Sequence, residues 1–140
     1  MTNQIANIDF HEIDLESDFI HAPGKHEAIR HKILSDTMDH HAKTGQRTRI
    51  LRIEPGFQSF GQHDHPYWEE LLILKGSLYE GSETGDETKL NSFSFARREP
   101  GNMHGPARTD ELTYILEINW YDEAYEAADI VADSLAELPN

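Results

Sequence analysis

The stretch Gly61-Gln62-His63-Asp64-His65-Pro66-Tyr67-Trp68-Glu69-Glu70-Leu71-Leu72-Ile73-Leu74-Lys75-Gly76 decides how the rest of the chain is read. Its second half is a short apolar run closed by a turn residue, which reads as a β-strand over 69–74. Its first half sets two histidines one residue apart. On an extended chain such a pair projects to one face, with Cα atoms roughly 6–7 Å apart. That spacing suits two imidazoles converging on one metal ion. Glu69 shares the odd-numbered parity of His63 and His65, and Glu70 does not. If the alternation continues through Pro66, Glu69 faces the metal side and Glu70 faces away. Imidazole nitrogens with one carboxylate suit Fe, Zn, Ni, Mn or Cu, and the ligand types alone do not choose among them.

Outward from this stretch the chain is heavily punctuated, by Pro23-Gly24, Gly45, Pro55-Gly56, Gly61, Gly76, Gly81, Gly85, Pro100-Gly101 and Gly105-Pro106. Between the turns lie short runs rich in β-branched and aromatic residues, and the stretches 28–34, 47–54, 90–96 and 112–121 read as further strands. In the last of them Leu112, Tyr114, Leu116, Ile118 and Trp120 alternate cleanly, the pattern of a strand with one buried side. Many short strands at close spacing predict an all-β sandwich or barrel, with its core over about 28–121. The tail differs. Tyr125, Ala128, Ala132 and Leu135 fall on one helical stripe, which predicts an amphipathic α-helix over about 122–138, opened by Asp122 as N-cap and ended by Pro139.

Composition narrows the function. At 140 residues the chain is the size of one domain, taken here as 1–140, and it contains no Cys. Thiolate nucleophiles, iron–sulfur clusters and Cys-ligated zinc are thereby excluded. Lys and Arg number 12 against 26 Asp and Glu, a net charge of −14, so phosphate backbones and anionic membranes are repelled. The excess acid sits at the two ends, before His21 and after Arg108; the stretch between them is formally neutral and holds all the histidines but His11. With no basic leader, no apolar h-region and no apolar run of membrane-spanning length, a cytoplasmic protein is expected, without nucleic-acid or membrane partners. His21, His26, His31, His40 and His41 precede the motif in polar, loop-like surroundings and are expected to be ordinary surface groups.

His63-x-His65, three residues, Glu69, six residues and Gly76 resemble the first conserved motif of the cupin superfamily in every spacing from first His to last Gly. A second motif follows at Pro100-Gly101-Asn102-Met103-His104, which keeps the Gly-x-x-His core. The departures fall on turn and packing positions: Pro100 is adjacent to Gly101, the leading Gly slot holds Phe93, the closing Asn slot holds Arg108, and Gly56 lies one residue too far from His63. The resemblance covers 50–120, about half the chain. It implies a jelly-roll barrel of six to eight antiparallel strands enclosing one divalent metal, with His63, His65, Glu69 and His104 as ligands. Glu69 is also the candidate catalytic carboxylate.

Among cupins the single-domain, diketone-cleaving dioxygenases are similar in size and in their three histidines, and Pro55-Gly56-Phe57 before the first motif with His104-Gly105-Pro106 at its second resembles a group of small cupins and anti-sigma-factor-like cupin domains. The resemblance therefore implies a non-haem Fe(II) dioxygenase acting with O2 on a small enolisable carbonyl compound, a diketone or hydroxyketone. The alternatives are a redox-neutral isomerase or lyase on a sugar-like or carboxylate substrate, and a non-catalytic sensor cupin. Three neutral imidazoles and one carboxylate would leave a divalent ion about one positive charge and two open positions. Phe60, Tyr67, Met103 and Tyr114 are expected as pocket walls, and Arg52 and Arg97 as holders of a substrate carboxylate. Phe57, Trp68, Phe93 and Phe95 are further candidate walls, and Arg98 a further carboxylate holder. A homodimer is implied, formed through an edge strand that the N-terminal segment helps to cover.

Overall fold

The computed structural model describes residues 6–82 and 84–122. Nine strands and no helix occur among them: β1 (Ile20–His21), β2 (Ile29–Asp36), β3 (Gln46–Ile53), β4 (Trp68–Lys75), β5 (Ser77–Gly81), β6 (Glu87–Asn91), β7 (Phe95–Arg98), β8 (Ala107–Arg108) and β9 (Thr113–Trp120). All pair antiparallel, in a six-stranded sheet of order β1-β2-β3-β9-β4-β7 and a three-stranded sheet of order β6-β5-β8. This is an all-β jelly roll. Apart from Asp122, the helix expected over 122–138 lies outside the described residues. No helix among the described residues is long and apolar enough to cross a membrane.

One row of side chains shows how the barrel is filled. His31, Leu51, Ile115 and Ile73 follow one another across β2, β3, β9 and β4, and all four are buried. With Ala22, Ile29, Ile53 and Phe57 they make the core at that end. Each large apolar side chain buried there contributes about 1.5–3 kcal/mol. Toward the other end the inward positions become polar: Arg47 and Arg49 on β3, Asn119 and Glu117 on β9, and Glu69 on β4. The interior therefore has an apolar half and a charged half.

That division reverses the expected face of the last strand. Thr113, Ile115, Glu117 and Asn119 point inward, whereas Tyr114, Leu116, Ile118 and Trp120 lie on the outer face of the large sheet. Tyr114 is nonetheless buried, because the N-terminal segment crosses that face: its hydroxyl donates to the carbonyl of Leu15 at 2.9 Å and its ring meets Phe19 edge-on. Lys32 ties the same segment down by donating to the carbonyl of Asp14. Trp120 stacks on Trp68 across the β4–β9 pair.

Two further expectations shift. The run 90–96 is not one strand; it breaks between β6 and β7, and Phe93 takes φ +67° at the break. The slot that the motif gives to Gly thus keeps a left-handed backbone although Phe fills it, a conformation costing a side-chain-bearing residue about 1–2 kcal/mol. His31 is not in a loop. It is buried on β2, where its Nδ1 accepts from Arg49 at 2.9 Å. Burial first, and the Arg49 charge second, hold its pKa below the ordinary 6.5, so the ring is neutral and Nδ1 is free to accept.

Gly76, the last residue of the first motif, makes the turn from β4 into β5 at φ +84°, and a Cβ there would sit 2.5 Å from the Leu112 carbonyl oxygen. Both the backbone angle and the β9 backbone forbid a side chain. Gly76→Ala is expected to cost about 2 kcal/mol or more, read as a lower urea midpoint; an unchanged midpoint would contradict this account of the turn.

Candidate metal centre

The site is assembled from a pair of backbone hydrogen bonds. His63 donates its N–H to the carbonyl of His104 at 2.9 Å, and His104 donates back to His63 at 3.0 Å. Residues joined in this way on antiparallel chains project their side chains to the same side, and the two imidazole centroids lie 4.2 Å apart. Gly101 donates to the carbonyl of His65 at 2.9 Å, which fixes the Pro100-Gly101 turn against the first motif. The ring nitrogens of His63, His65 and His104 consequently lie within 4.8 Å of one another.

Glu69 enters from β4. Its carboxylate oxygens stand 3.6 Å from His65 Nε2 and 3.8 Å from His104 Nε2, beyond hydrogen-bond range. Glu70, one residue on, faces the other way and pairs with Arg97 at 3.5 Å. His104 Nδ1 lies 2.9 Å from the carbonyl of Asn102; that oxygen only accepts, so Nδ1 carries the proton and Nε2 presents its lone pair to the site. Tyr67 lies flat against His65 at 5.1 Å and is itself braced by the rings of His40 and Tyr121.

The donor set suits a divalent cation. Loss of hydration on burial holds His63 and His104 below the ordinary histidine pKa of 6.5 and takes His65 down to about 3, so all three are neutral imidazoles at physiological pH. Burial, with the Glu117 charge second, pushes Glu69 up to about 7 from 4.5. A buried carboxyl in that condition needs a proton or a cation.

These groups border a cavity of about 500 Å³ whose wall includes Leu51, Phe57, Leu71, Leu78 and Ile115. Tyr67 alone among the six expected pocket residues lines it. Arg52 and Tyr114 occupy outward positions of β3 and β9, Arg52 pairing with Glu54 at 3.0 Å and lying over the Tyr114 ring. Arg97 points to solvent with Glu70, and Phe60 and Met103 sit on loops at 87% and 53% exposure. Of the further candidates Phe57 and Arg98 do line the cavity, while Phe93 and Phe95 are exposed and Trp68 is stacked on Trp120. The sequence reading did not identify Lys25, Glu80 and Glu117 as cavity residues. Glu117 carried a usable signal: it faces Arg49 in register across β3 and β9, and the two pair at 2.6 Å.

An antiparallel jelly roll with a His-x-His pair, a third histidine from a later turn and an inward glutamate defines a cupin. The chain belongs to the ChrR cupin-like domain family, whose model matches residues 18–120. Solved structures with the same fold include KdgF from Halomonas sp., at 16% identity and TM-score 0.58, covering 81% of this chain and 96% of that one. The acetylacetone dioxygenase of Acinetobacter johnsonii is similar at 17% identity and TM-score 0.59, covering 87% and 84%. The cupin domain of Schizosaccharomyces pombe Cnp3 is similar at 8% identity and TM-score 0.59, covering 81% and 75%. No curated protein matches the sequence.

Two predictions follow from the donor set. His104→Ala removes one imidazole and opens the ring of donors, so elemental analysis should find most of the bound divalent metal lost; a variant that keeps one ion per chain would contradict the ligand assignment.

The second concerns pH in metal-free protein. The folded histidines refuse protons that the unfolded chain accepts below 6.5, so stability falls as pH drops from 6.5 toward 3. Glu69 acts in the opposite sense. Its folded carboxyl keeps a proton up to about 7 that the unfolded chain releases near 4.5, so stability falls as pH rises across that window. Glu69→Gln should remove the falling contribution, so that stability rises more steeply with pH between 4.5 and 6.5, and raise metal-free stability at pH 8 by on the order of 1 kcal/mol, measured by urea unfolding; a Gln variant with the parent's pH profile would rule out this role of burial.

Proposed function

We propose that this protein is a metal-dependent cupin enzyme acting on a small enolisable carbonyl compound, with His63, His65, His104 and Glu69 holding a divalent cation, Fe(II) in the first instance. The observation that carries the reading is the convergence of three neutral imidazoles and a buried carboxylate on the wall of a cavity of about 500 Å³. That volume suits a small molecule and not a polymer. A divalent ion held there would supply Lewis acidity, lowering the pKa of an oxygen donor.

The chain's own residues do the rest. The Asn102 carbonyl fixes the tautomer of His104, and the Tyr67 ring fixes the plane of His65. Phe57, Leu71, Leu78 and Ile115 make part of the cavity wall apolar, and low polarity there strengthens electrostatic interactions in the cavity. The dioxygenase form of the reading is supported by fold likeness to the acetylacetone dioxygenase and by donors that suit iron.

A second reading rests on Glu69. In it the cation rests on the three histidines alone, and Glu69, whose buried carboxyl is pushed up to about 7 without metal, holds and releases a proton, as redox-neutral isomerisation or elimination on a sugar-like or carboxylate substrate requires. Protein as isolated, assayed for metal and then reloaded with Fe(II), is expected to consume O2 when given diketones and hydroxyketones. No uptake across that panel by iron-loaded protein, with anaerobic turnover on Mn, Ni or Zn, would overturn the oxygenase in favour of the redox-neutral enzyme.

A further inference from the structure

We infer that Lys25 anchors an anionic group, so that the molecule taken up by this cavity is a small carboxylate bearing a second oxygen donor, of the β-keto or hydroxy acid type. The inference rests on the metal-dependent reading above and names the substrate class within it.

Four carboxylates, Asp64, Glu69, Glu80 and Glu117, and two cationic side chains, Lys25 and Arg98, line the cavity, and their pairing is unequal. Glu117 is matched by Arg49 at 2.6 Å, and Glu80 by Arg98 at 2.5 Å. Glu69 faces only imidazoles, the position that a divalent cation would neutralise. Asp64 is exposed, where water screens it. Lys25 remains. It is carried by the turn between Ala22, whose carbonyl accepts from the Lys25 N–H, and His26, whose ring packs edge-on against Phe57. Its side chain is half-buried against the cavity and makes no ion pair among the described residues. The same cavity is lined by His63, His65, Glu69 and His104, so Lys25 shares one enclosed space with the donor set.

With the internal pairs cancelled, a divalent ion on Glu69 and the free Lys25 leave positive charge in excess. A neutral diketone would meet the metal but leave Lys25 unanswered, whereas a carboxylate with a keto or hydroxyl oxygen answers both.

The discriminating probes are acetoacetate and acetylacetone, which share a chelating oxygen pair and differ in that a carboxylate replaces a methyl ketone. Binding is measured anaerobically by calorimetry, on protein of measured metal content and again on metal-free protein. Wild type is expected to bind acetoacetate about tenfold or more tightly than acetylacetone, since a charge-assisted hydrogen bond is at stake. Lys25→Gln should weaken acetoacetate about tenfold, leave acetylacetone and metal content unchanged, and Lys25→Arg should restore the preference. Equal affinity for the two probes in wild type, an unchanged acetoacetate affinity in Lys25→Gln, or no acetoacetate binding in either form overturns the inference. Failure of the metal reading registers separately, as absence of metal uptake, and the Lys25 comparison in metal-free protein then decides the anion site by itself.

Discussion

Two reciprocal hydrogen bonds between the backbones of His63 and His104 hold the whole site together. They are the seam between two segments far apart in sequence, and each is worth about 1 kcal/mol net. Their importance is geometric. An antiparallel bridge leaves no freedom in which side its residues face, so once the seam closes the two imidazoles must oppose each other. The Gly101–His65 bond then sets the third ring, and the β4 ladder brings up Glu69. The departures from the second cupin motif leave this seam intact. Phe93 still adopts φ +67° where the motif has Gly, and Arg108 pairs outward with Glu87 and Asp110 where the motif has Asn.

The division of the barrel interior explains which parts of this were legible beforehand. The donors were readable because their spacing is local: two-residue parity puts His63, His65 and Glu69 on one side whatever the remainder of the fold does. The strand content was readable for the same reason. What differs is the face on which several apolar residues lie. In β9 the alternation of Tyr114, Leu116, Ile118 and Trp120 was real, but the inward face near the site is Glu117 and Asn119, and the apolar residues line the outer sheet face. Part of that face is covered by residues 14–19, a contact no periodicity in either segment announces.

Five of the six expected pocket residues lie off the cavity wall. Aromatic and arginine side chains commonly bind ligands, yet Arg52 and Tyr114 face outward by strand parity, and Phe60 and Met103 lie exposed on loops. Lys25 went unread for the converse reason. It belongs to neither motif and arrives through the turn after β1, so only the three-dimensional closure of Ala22 and His26 onto the barrel brings it to the cavity.

Charge pairing inside the cavity gives the strongest reason to expect a cation at the donor set. The 26 acidic residues of this chain are overwhelmingly a matter of solubility, but Glu69, Glu80 and Glu117 are turned into a low-dielectric space where a bare carboxylate is costly. Two of them bring their own arginines. Glu69 has none, although Arg98 stands opposite it in the β4–β7 register and is committed instead to Glu80. Its neighbours are three imidazoles that burial keeps neutral, and neutral imidazoles offer lone pairs, not charge. A carboxylate beside three clustered imidazoles, with Arg49 and Arg98 engaged by other carboxylates and Lys25 outside ion-pair range, leaves two ways to balance Glu69: a proton, or a metal ion shared with the histidines. Only the second also uses the imidazoles.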